Sequence, residues 1–414
     1  MLINYFNYTM TSCNISNMEN INTIQNKNRI YSYSIRDYTL MLLFLFTSNS
    51  IIYFQYLSPA VTYIIFFIVC IFNVIAYKQK IKHFKSFPIL FAILIFINIT
   101  IINPDTINRN GIGTLIMALA SFFFFQLFDF YRFRFLYLKV VAMITLFSIP
   151  VYILYEMGIL PTMTLTDTLG NLHTMFFIYH LGAPYSLGRM AGIWHEPGAC
   201  MIFLNIALLL YIPELVQRRL KSQEIRYLII IVVGILFTQS TTAYLCLILI
   251  LVFCAWNNKR ASFGKKIIML FFCCIVISLL YKSDIIQEKF NQDVEENTSK
   301  GIRMRDNLSC FIMAYEHPFT GVGFGTKKFE KLSIQLDNKT SSNGILYIAA
   351  CLGLYFIILY PYCAYREIRH RKIPTITALF IVLIFLILES NEAYVEFPVS
   401  YIFLAKFKSY NYIN

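Results

Sequence analysis

Charged residues are scarce in this sequence. Asp, Glu, Lys and Arg make up 14% of its 414 residues, whereas soluble domains carry roughly 25%. This shortage argues against an ordinary water-soluble fold, and the residues that replace the charges are 58% hydrophobic and arranged in long runs. Because a run of ~17–25 apolar residues can cross a hydrocarbon core, the sequence predicts a polytopic membrane protein.

Cysteine patterns that bind metals are also missing. The ten cysteines form no C-x-x-C pair and no Cys/His cluster with metal-ligand spacing, so neither a metal nor another cofactor is expected. Only Cys310 lies in the polar segment 282–342, which therefore has no internal disulfide. The first 36 residues have no short apolar core followed by a cleavage site, so they do not resemble a signal peptide.

Apolar stretches bounded by charged residues predict an all-α fold of twelve transmembrane helices, with both termini on the same side. The predicted spans are residues 38–56, 58–77, 87–102, 111–128, 135–155, 193–212, 227–240, 241–256, 265–281, 343–364, 374–390 and 393–407. A tight hairpin at 239–242 is preferred to one long helix over 227–256, because a single helix would move two basic loops to the outside.

This layout divides the chain into five regions. They are a cytoplasmic tail at 1–37, helices one to nine within 38–281 with an external loop at 156–192, a long external loop at 282–342, helices ten to twelve within 343–407, and a cytoplasmic C-terminus at 408–414.

The net charge of +13 indicates orientation. With both termini in the cytoplasm, 24 of the 35 Lys and Arg residues lie on the cytoplasmic side, as the positive-inside rule expects. Within 282–341, nine basic residues are balanced by nine acidic residues. The positive charge therefore gives no support to a nucleic-acid partner.

Charged residues stand at the mouth of the predicted sixth span. Arg189, His195 and Glu196 would be costly facing lipid, so we expect them to face a cavity. Pro197 suits the first turn of a helix, which places Glu196 near a helix N-terminus where the dipole favours a carboxylate. The alternative is that Glu196 only caps the helix and pairs with Arg189.

A second set of candidates lies in the long external loop. Apolar residues at 304, 308, 311, 312 and 315 have helical spacing, and this helix opens on Arg303 and Arg305. It ends at His317, before a glycine-rich turn that contains Gly321 and Gly323. Arginine forks and turn amides both recognise phosphate oxygens. The alternatives are a solvated helix face for the arginines and a helix stop for His317.

Three acidic residues mark the junction of the last two predicted spans: Glu389, Glu392 and Glu396. The spacing of Glu392 and Glu396 would place them on one helix face. They are expected to counter the external arginines, or alternatively to bind a sugar.

The external motifs resemble those of the O-antigen polymerase and O-antigen ligase superfamily. Arg189 stands seven residues before the pair Glu196-Pro197, and Arg303 stands fourteen residues before His317, which opens the sequence His-Pro-Phe-Thr-Gly-Val-Gly. The predicted layout, with its long loop between the ninth and tenth spans, is similar as well. The motifs cover about 30 residues, so the resemblance does not identify a particular glycan.

The resemblance implies a GT-C-like glycosyltransferase of the bacterial inner membrane, with its site on the external face. Its donor and acceptor would be oligosaccharides on undecaprenyl diphosphate. Membrane lipids and a chain-length regulator are the other partners that it suggests. A flippase for the same lipid-linked sugars is the alternative from another class, but the ionisable residues crowd the outer surface instead of the bilayer midplane used by transporters.

By position, Arg189 and Arg303 match the family arginines that hold the diphosphate, and Arg305 is added as their neighbour. Glu196 matches the Glu of the Glu-Pro pair and is the first candidate for the general base, with His195 second and His317 third. The remaining expected substrate contacts are Asn343, Gly321 and Gly323.

One position departs from the ligase pattern. Ligases of this superfamily carry a His-Asn pair ten residues before a Gly, and here Ser342-Asn343 precedes Gly353. The missing histidine favours a polymerase over a ligase, and it leaves the base to be chosen among the three candidates.

Overall fold

The computed structural model describes residues 33–51, 59–78, 81, 85–104, 109–166, 172–182, 188–217, 220–258, 262–282, 299–336, 343–394 and 396–408. The chain divides into two compact units, residues 1–39 and 40–414. Helix α1 (Ile35–Phe46) begins after Ser34, whose backbone N–H and hydroxyl both donate to the Asp37 carboxylate at 2.9 Å. The Asp37 carboxylate thus satisfies the N–H of the N-cap residue, which explains where the helix starts.

The described residues are mostly helical, as predicted. In chain order the other helices are α2 (Pro59–Ala76), α3 (Phe87–Ile97) with a π-turn at Asn98–Ile102, α4 (Arg109–Gln126), α5 (Phe130–Glu156), α6 (Pro197–Leu209), α7 (Ile212–Gln217), α8 (Ser222–Phe237), α9 (Thr241–Asn257), α10 (Phe263–Lys282), α11 (Ser299–Glu316), α12 (Lys327–Gln335), α13 (Gly344–Leu352), α14 (Phe356–His370) and α15 (Thr375–Glu389).

Several helices suit a membrane. By length and composition, α2, α5 and the stretch Pro197–Gln217 are able to cross one, and α13 with α14 would add a fourth span if the pair, bent by 120°, counts as one. Shorter apolar helices occur at Phe87–Ile102, Gly111–Gln126, Thr241–Asn257, Lys266–Ile275 and Thr375–Glu389. The chain is therefore a membrane protein, while the count of twelve spans and the sides of the loops stay predictions.

The predicted interruption near residue 239 is confirmed. Helix α8 ends at Phe237 and α9 starts at Thr241. Between them Gln239 adopts φ 46°, and the Ser240 hydroxyl accepts from the Ala243 amide at 3.5 Å. A left-handed residue followed by a serine cap ends one helix and begins the next.

The predicted twelfth span, 393–407, is wrong as a helix. The described part of this segment forms turns and one short 3-10 helix, Pro398–Tyr401, and it is mostly buried. Arg371 donates from Nη2 to the carbonyls of Ile402 at 2.9 Å and Ala405 at 3.2 Å. The segment is apolar because the protein buries it, and side chains satisfy its irregular backbone. Glu392 and Glu396 consequently do not share a helix face.

The predicted tenth span, 343–364, is broken in the middle. Helix α13 ends at Leu352, and Gly353 follows with φ 120°. A Cβ at Gly353 would lie 2.7 Å from the Pro318 carbonyl oxygen, which accepts from the Leu354 amide at 2.8 Å. The turn after α11 therefore fills the space beside the break, and glycine allows both the conformation and the close approach.

The segment after α5 contains strands that the all-α prediction missed. Strands β1 (Met163–Thr166), β2 (Leu172–Phe176) and β3 (Tyr179–Gly182) form an antiparallel sheet in that order. Four or five residues give too short an alternation to indicate a strand. The His180 amide donates to the Gly192 carbonyl at 2.7 Å, which attaches the sheet to the chain that leads into α6.

Aromatic side chains fill much of the core of the second unit. Phe44 stacks on Phe124 with ring centroids 4.6 Å apart and meets Phe133 edge-on at 6.0 Å. Next to Phe133, Arg134 of α5 forms a buried ion pair with Glu214 of α7. These contacts pack α1, α4, α5 and α7 together.

Candidate active site

Arg303 joins helix α11 to the turn that follows α15. Its Nη1 donates to the Asn391 backbone carbonyl at 3.1 Å and to the Asn391 side-chain oxygen at 2.9 Å, and its Nη2 donates to Glu392 Oε1 at 3.1 Å. The Arg303 side chain remains 45% exposed, against 14% for Glu392. The fork is thus held in place on one edge, and another face of the guanidinium is open to a ligand.

Two carboxyl groups meet at the start of α6. Glu196 is the N-cap residue of α6, but its side chain makes no capping hydrogen bond. A Cβ on Gly198 would lie 2.7 Å from Glu392 Oε1 and 3.7 Å from Glu196 Cδ, so both carboxyl groups lie beside the first turn. Burial raises the pKa of Glu392, and the neighbouring Glu196 carboxyl raises it further, while Arg303 opposes both effects.

Arg189 lies against the break between α8 and α9. Its Nε donates to the Thr238 carbonyl at 3.3 Å, and Gln239 Nε2 donates to the Gly188 carbonyl at 2.9 Å. Burial lowers the pKa of Arg189, with Arg303 acting in the same direction, while the Glu196 and Glu392 carboxyl groups raise it. The helix break therefore positions a cation that is electrostatically coupled to both carboxyl groups and to the second arginine.

The chain around residue 49 supports this site. The Asn49 carbonyl accepts from the His195 amide at 3.2 Å, and the Ile51 amide donates to the Ile193 carbonyl at 2.9 Å. The Asn49 side-chain nitrogen donates to the hydroxyl of Tyr394. Asn49 has φ 59°, a conformation that asparagine tolerates better than most residues. The turn after α1 thus connects the chain before α6 to the chain after α15.

His195 is part of a group of three imidazoles. The His173 ring lies 5.4 Å from the His195 ring and 5.0 Å from the His180 ring, centroid to centroid, and His173 Nδ1 is 3.1 Å from His180 Nε2. Burial lowers the pKa of His180 to about 3, with His173 and His195 adding to the effect. In the described part of the chain, no group of three or more His, Cys, Asp or Glu is placed to hold a metal ion.

Two other candidates, Arg305 and His317, lie on α11 and directly after it. Arg305 is two residues after Arg303 on α11, so it projects from the helix about 200° away. His317 follows the end of α11, and its Nδ1 is 3.4 Å from Lys328 Nζ. Burial and the Lys328 ammonium lower the pKa of His317, which Glu316 partly offsets. Arg303, and not Arg305, therefore makes the contacts with Asn391 and Glu392. His317 lies beside Lys328 of α12.

The glycine-rich turn has a packing role. The Val322 amide donates to the Ala350 carbonyl at 2.8 Å, and the Gly323 amide donates to the Cys351 carbonyl at 2.9 Å. The Gly321 amide donates to the backbone carbonyl of His317 at 2.9 Å. These N–H groups are occupied by the protein itself. A contact between substrate and Gly321 or Gly323 stays a prediction.

Close packing explains why this turn needs glycine. A Cβ on Gly321, where φ is 61°, would lie 2.2 Å from the Cys351 carbonyl carbon. The side chain of Asn98, in the π-turn after α3, donates to the Thr320 carbonyl at 2.9 Å. Val322, which lies in the glycine-rich turn, packs in an apolar cluster with Cys310 and Met313 of α11. Docking of the turn on the end of α13 therefore also fixes α11, which carries Arg303.

Asn343 has a local structural role. It is the N-cap of α13, and its side-chain oxygen accepts from the amides of Ile345 and Leu346, each at 3.1 Å. A contact between Asn343 and substrate stays a prediction. The informative neighbour Ser342 lies outside the described residues.

The structure also adds residues that the motifs did not indicate. Asn391 accepts from Arg303, and its side-chain oxygen also accepts from the Thr242 hydroxyl at 2.8 Å. Tyr394 is buried and coupled to Glu196 and Glu392. In the sequence, Asn391 and Tyr394 could be noticed only as polar residues that interrupt an apolar run. Most of the residues that they contact are distant in sequence, so the sequence did not indicate their role.

Comparison with known proteins agrees with the motif that runs from Arg303 to Gly323. Residues 227–360 match the family model described as O-Antigen ligase, a stretch that begins in α8, ends in α14 and includes Arg303 and His317. No curated protein matches the chain significantly. The match supports the resemblance to the O-antigen polymerase and ligase superfamily that was predicted from the sequence.

Proposed function

We propose that the protein polymerises oligosaccharide repeat units carried on undecaprenyl diphosphate, at the outer face of the bacterial inner membrane, into an O-antigen or a capsular polysaccharide. The observation that carries this proposal is the coupling of Arg189 and Arg303 to Glu196 and Glu392 at the start of α6. Two cations and a carboxyl group that makes no capping bond, at a helix mouth, are suited to a substrate that combines a diphosphate with hydroxyl groups.

In the proposed reaction, a hydroxyl oxygen of the acceptor unit attacks the anomeric carbon of the donor chain. The bond between that carbon and the diphosphate oxygen breaks, and the oxygen leaves with the electron pair. The hydroxyl proton passes to a base on the protein. Negative charge concentrates on the departing phosphate oxygens, so fixed cations stabilise the transition state more than the ground state.

The two arginines supply different parts of this stabilisation. Arg189 is partly buried against the α8–α9 break, and a guanidinium stays protonated in proteins. Arg303 presents a more exposed fork on α11, suited to two phosphate oxygens. We expect the diphosphate to contact the guanidinium groups of both Arg189 and Arg303. Arg305 lies on a different face of α11, so any contact it makes with the diphosphate would come from that face.

Glu196 is the proposed base because its carboxyl group lies at the first turn of α6 without a capping bond. His195 is the second candidate, since its ring contacts His173 and its amide donates to Asn49. His317 is the third and requires the external helices to fold over the site, because its observed partner is Lys328.

A ligase that transfers the finished chain to another carrier is the second candidate function. The description of the matching family favours it, whereas Ser342 in place of the ligase histidine favours the polymerase. Both activities would use the same arginines on the same donor, and they differ in the acceptor.

Glycan analysis of a deletion strain distinguishes them. Loss of a polymerase leaves glycans with a single repeat unit, and re-expression of the wild-type chain restores long polymer. Loss of a ligase instead leaves polymer on the lipid carrier and none on the final acceptor. Accumulation of single lipid-linked units on the cytoplasmic side would contradict both functions and indicate a flippase.

A further inference from the structure

We propose that Glu392 is a positioning residue of this site: it fixes the Arg303 fork and, as the second carboxyl group beside Glu196, holds part of the proton that the base removes. This inference rests on the proposed function. The superfamily motifs do not include Glu392, and the contacts in the folded chain bring it into the site.

The position of Glu392 is fixed from two sides. Its Oε1 is 3.1 Å from Arg303 Nη2 on one side. On the other, the same oxygen approaches the first turn of α6 so closely that a Cβ on Gly198 would be 2.7 Å away. Gly198 does not have a left-handed backbone conformation in this structure. Glycine is therefore needed at this position because a side chain would take the space of the Glu392 carboxyl group.

The groups that face Glu392 are of both charges. Arg303 approaches from α11, Glu196 from the start of α6, and Arg189 from the chain before it, while Tyr394 follows on the same segment. Two neighbouring carboxyl groups resist joint ionisation, so a pair of this kind tends to hold one proton. Arg303 opposes this effect on Glu392.

This arrangement answers a chemical need of the reaction. An isolated carboxylate is a weak base, because a Glu side chain ordinarily has a pKa near 4.3, and enzymes strengthen such a base by burial and by like-charged neighbours. In the proposed step the acceptor hydroxyl loses its proton to Glu196 as its oxygen bonds to the anomeric carbon. The Glu196–Glu392 pair then shares that proton until it passes to water, and no other reactant is consumed.

The proposed proton-sharing role of Glu392 differs from a role in which Glu392 only positions Arg303. If Glu392 only held the arginine, its loss would weaken donor binding and leave the pH dependence of the chemical step unchanged, because Asn391 supplies the other two contacts to Arg303. If it shares the proton, its loss must also shift the pH at which the base becomes protonated.

The test uses the full-length protein in lipid nanodiscs with a synthetic lipid-linked repeat unit. The kcat and KM values are measured from pH 5 to pH 9 for the wild type, Glu392→Gln, Glu196→Gln and Gly198→Ala, with the exposed Glu330→Gln as the matched control. For Glu392→Gln we expect kcat to fall about tenfold or more. We also expect the acidic limb of its kcat profile to move to lower pH, since the neighbouring carboxyl group that resists joint ionisation has been removed.

Gly198→Ala is expected to change the profile in the same direction, because the added Cβ pushes the Glu392 carboxyl group away without removing its charge. Glu330→Gln should match the wild type. An acidic limb that stays in place in Glu392→Gln, with only KM raised, would overturn the proton-sharing role.

A second measurement does not depend on turnover. Infrared titration of the same proteins follows the protonated carboxyl band, and we expect a band shared by the pair to be lost or displaced in both Glu196→Gln and Glu392→Gln. Independent bands, each removed by one substitution alone, would refute the pair. If the wild type makes no polymer, the proposed function fails, and the infrared result still decides whether the carboxyl groups share a proton.

Discussion

Substitution of Arg303 by alanine or lysine separates catalysis from stability at this site. The guanidinium makes three hydrogen bonds, yet its side chain is 45% exposed. A partly exposed ion pair of this kind contributes only about 0–1 kcal/mol to stability. By contrast, loss of a preorganised donor to developing negative charge lowers kcat by about 10²–10³. We therefore expect Arg303→Ala to abolish long-chain polymer while the protein remains in the membrane at its normal level.

The lysine variant tests the geometry of the fork. An ammonium keeps the charge but cannot reach Asn391 and Glu392 while presenting two parallel donors to a phosphate. We expect Arg303→Lys to retain about a tenth of the activity or less, since an ammonium cannot supply the two parallel N–H bonds of the guanidinium fork. Lys331→Ala, which removes an exposed cation from α12, is the control and should behave as the wild type.

The assay compares chain-length profiles with membrane protein levels and with the thermal unfolding midpoint of the purified variants. Wild-type chain lengths in Arg303→Ala would refute the assignment of Arg303 to the diphosphate. A parallel loss of activity and of thermal stability would also contradict the reasoning, because it would make Arg303 a structural residue.

Three further predictions test the surrounding structure. Gly321→Ala should lower the thermal midpoint of unfolding, because the added Cβ would overlap the α13 backbone and residue 321 has φ 61°. The midpoint is measured by thiol labelling of Cys351, which is buried in the folded protein. The control Gly264→Ala, which has open space around it, should change the midpoint little. Glu196→Gln should abolish polymer without loss of protein, and retained polymer would exclude it as the base. His180 has its pKa lowered to about 3 from 6.5, so the folded state binds this proton less than the unfolded state and stability falls as the pH drops below 6.5. The loss is about 1.4 kcal/mol per pH unit, and His180→Gln should flatten that part of the stability profile.

Much of the framework of the site was predictable from local sequence. The helical spacing at 304–315 predicted α11, the Glu196-Pro197 pair predicted the start of α6, and the polar residues at 239–242 predicted the break that positions Arg189. Each of these signals depends on neighbouring residues only. The resemblance to the superfamily then selected Arg189 and Arg303 from among the cations of the predicted external loops.

Other features depend on the folded chain and could not be predicted in this way. An apolar run indicates that a segment avoids water, but a membrane span and a buried irregular segment avoid it equally well. The stretch 393–407 is of the second kind, with Arg371 satisfying its carbonyls. For the same reason, the partnership of Glu392 with Arg303 had no local signature.

The glycine-rich turn shows how packing redirects a chemical interpretation. A Gly-x-Gly sequence after a basic helix is consistent with a phosphate nest, but the amides of Val322 and Gly323 already donate to carbonyls of α13. Recognition of a diphosphate would then depend on side-chain cations, with the turn acting to hold α11 so that Arg303 meets Glu392. On this view the glycines contribute to catalysis through the position of an arginine, and their substitution should affect the activity in proportion to how far α11 moves.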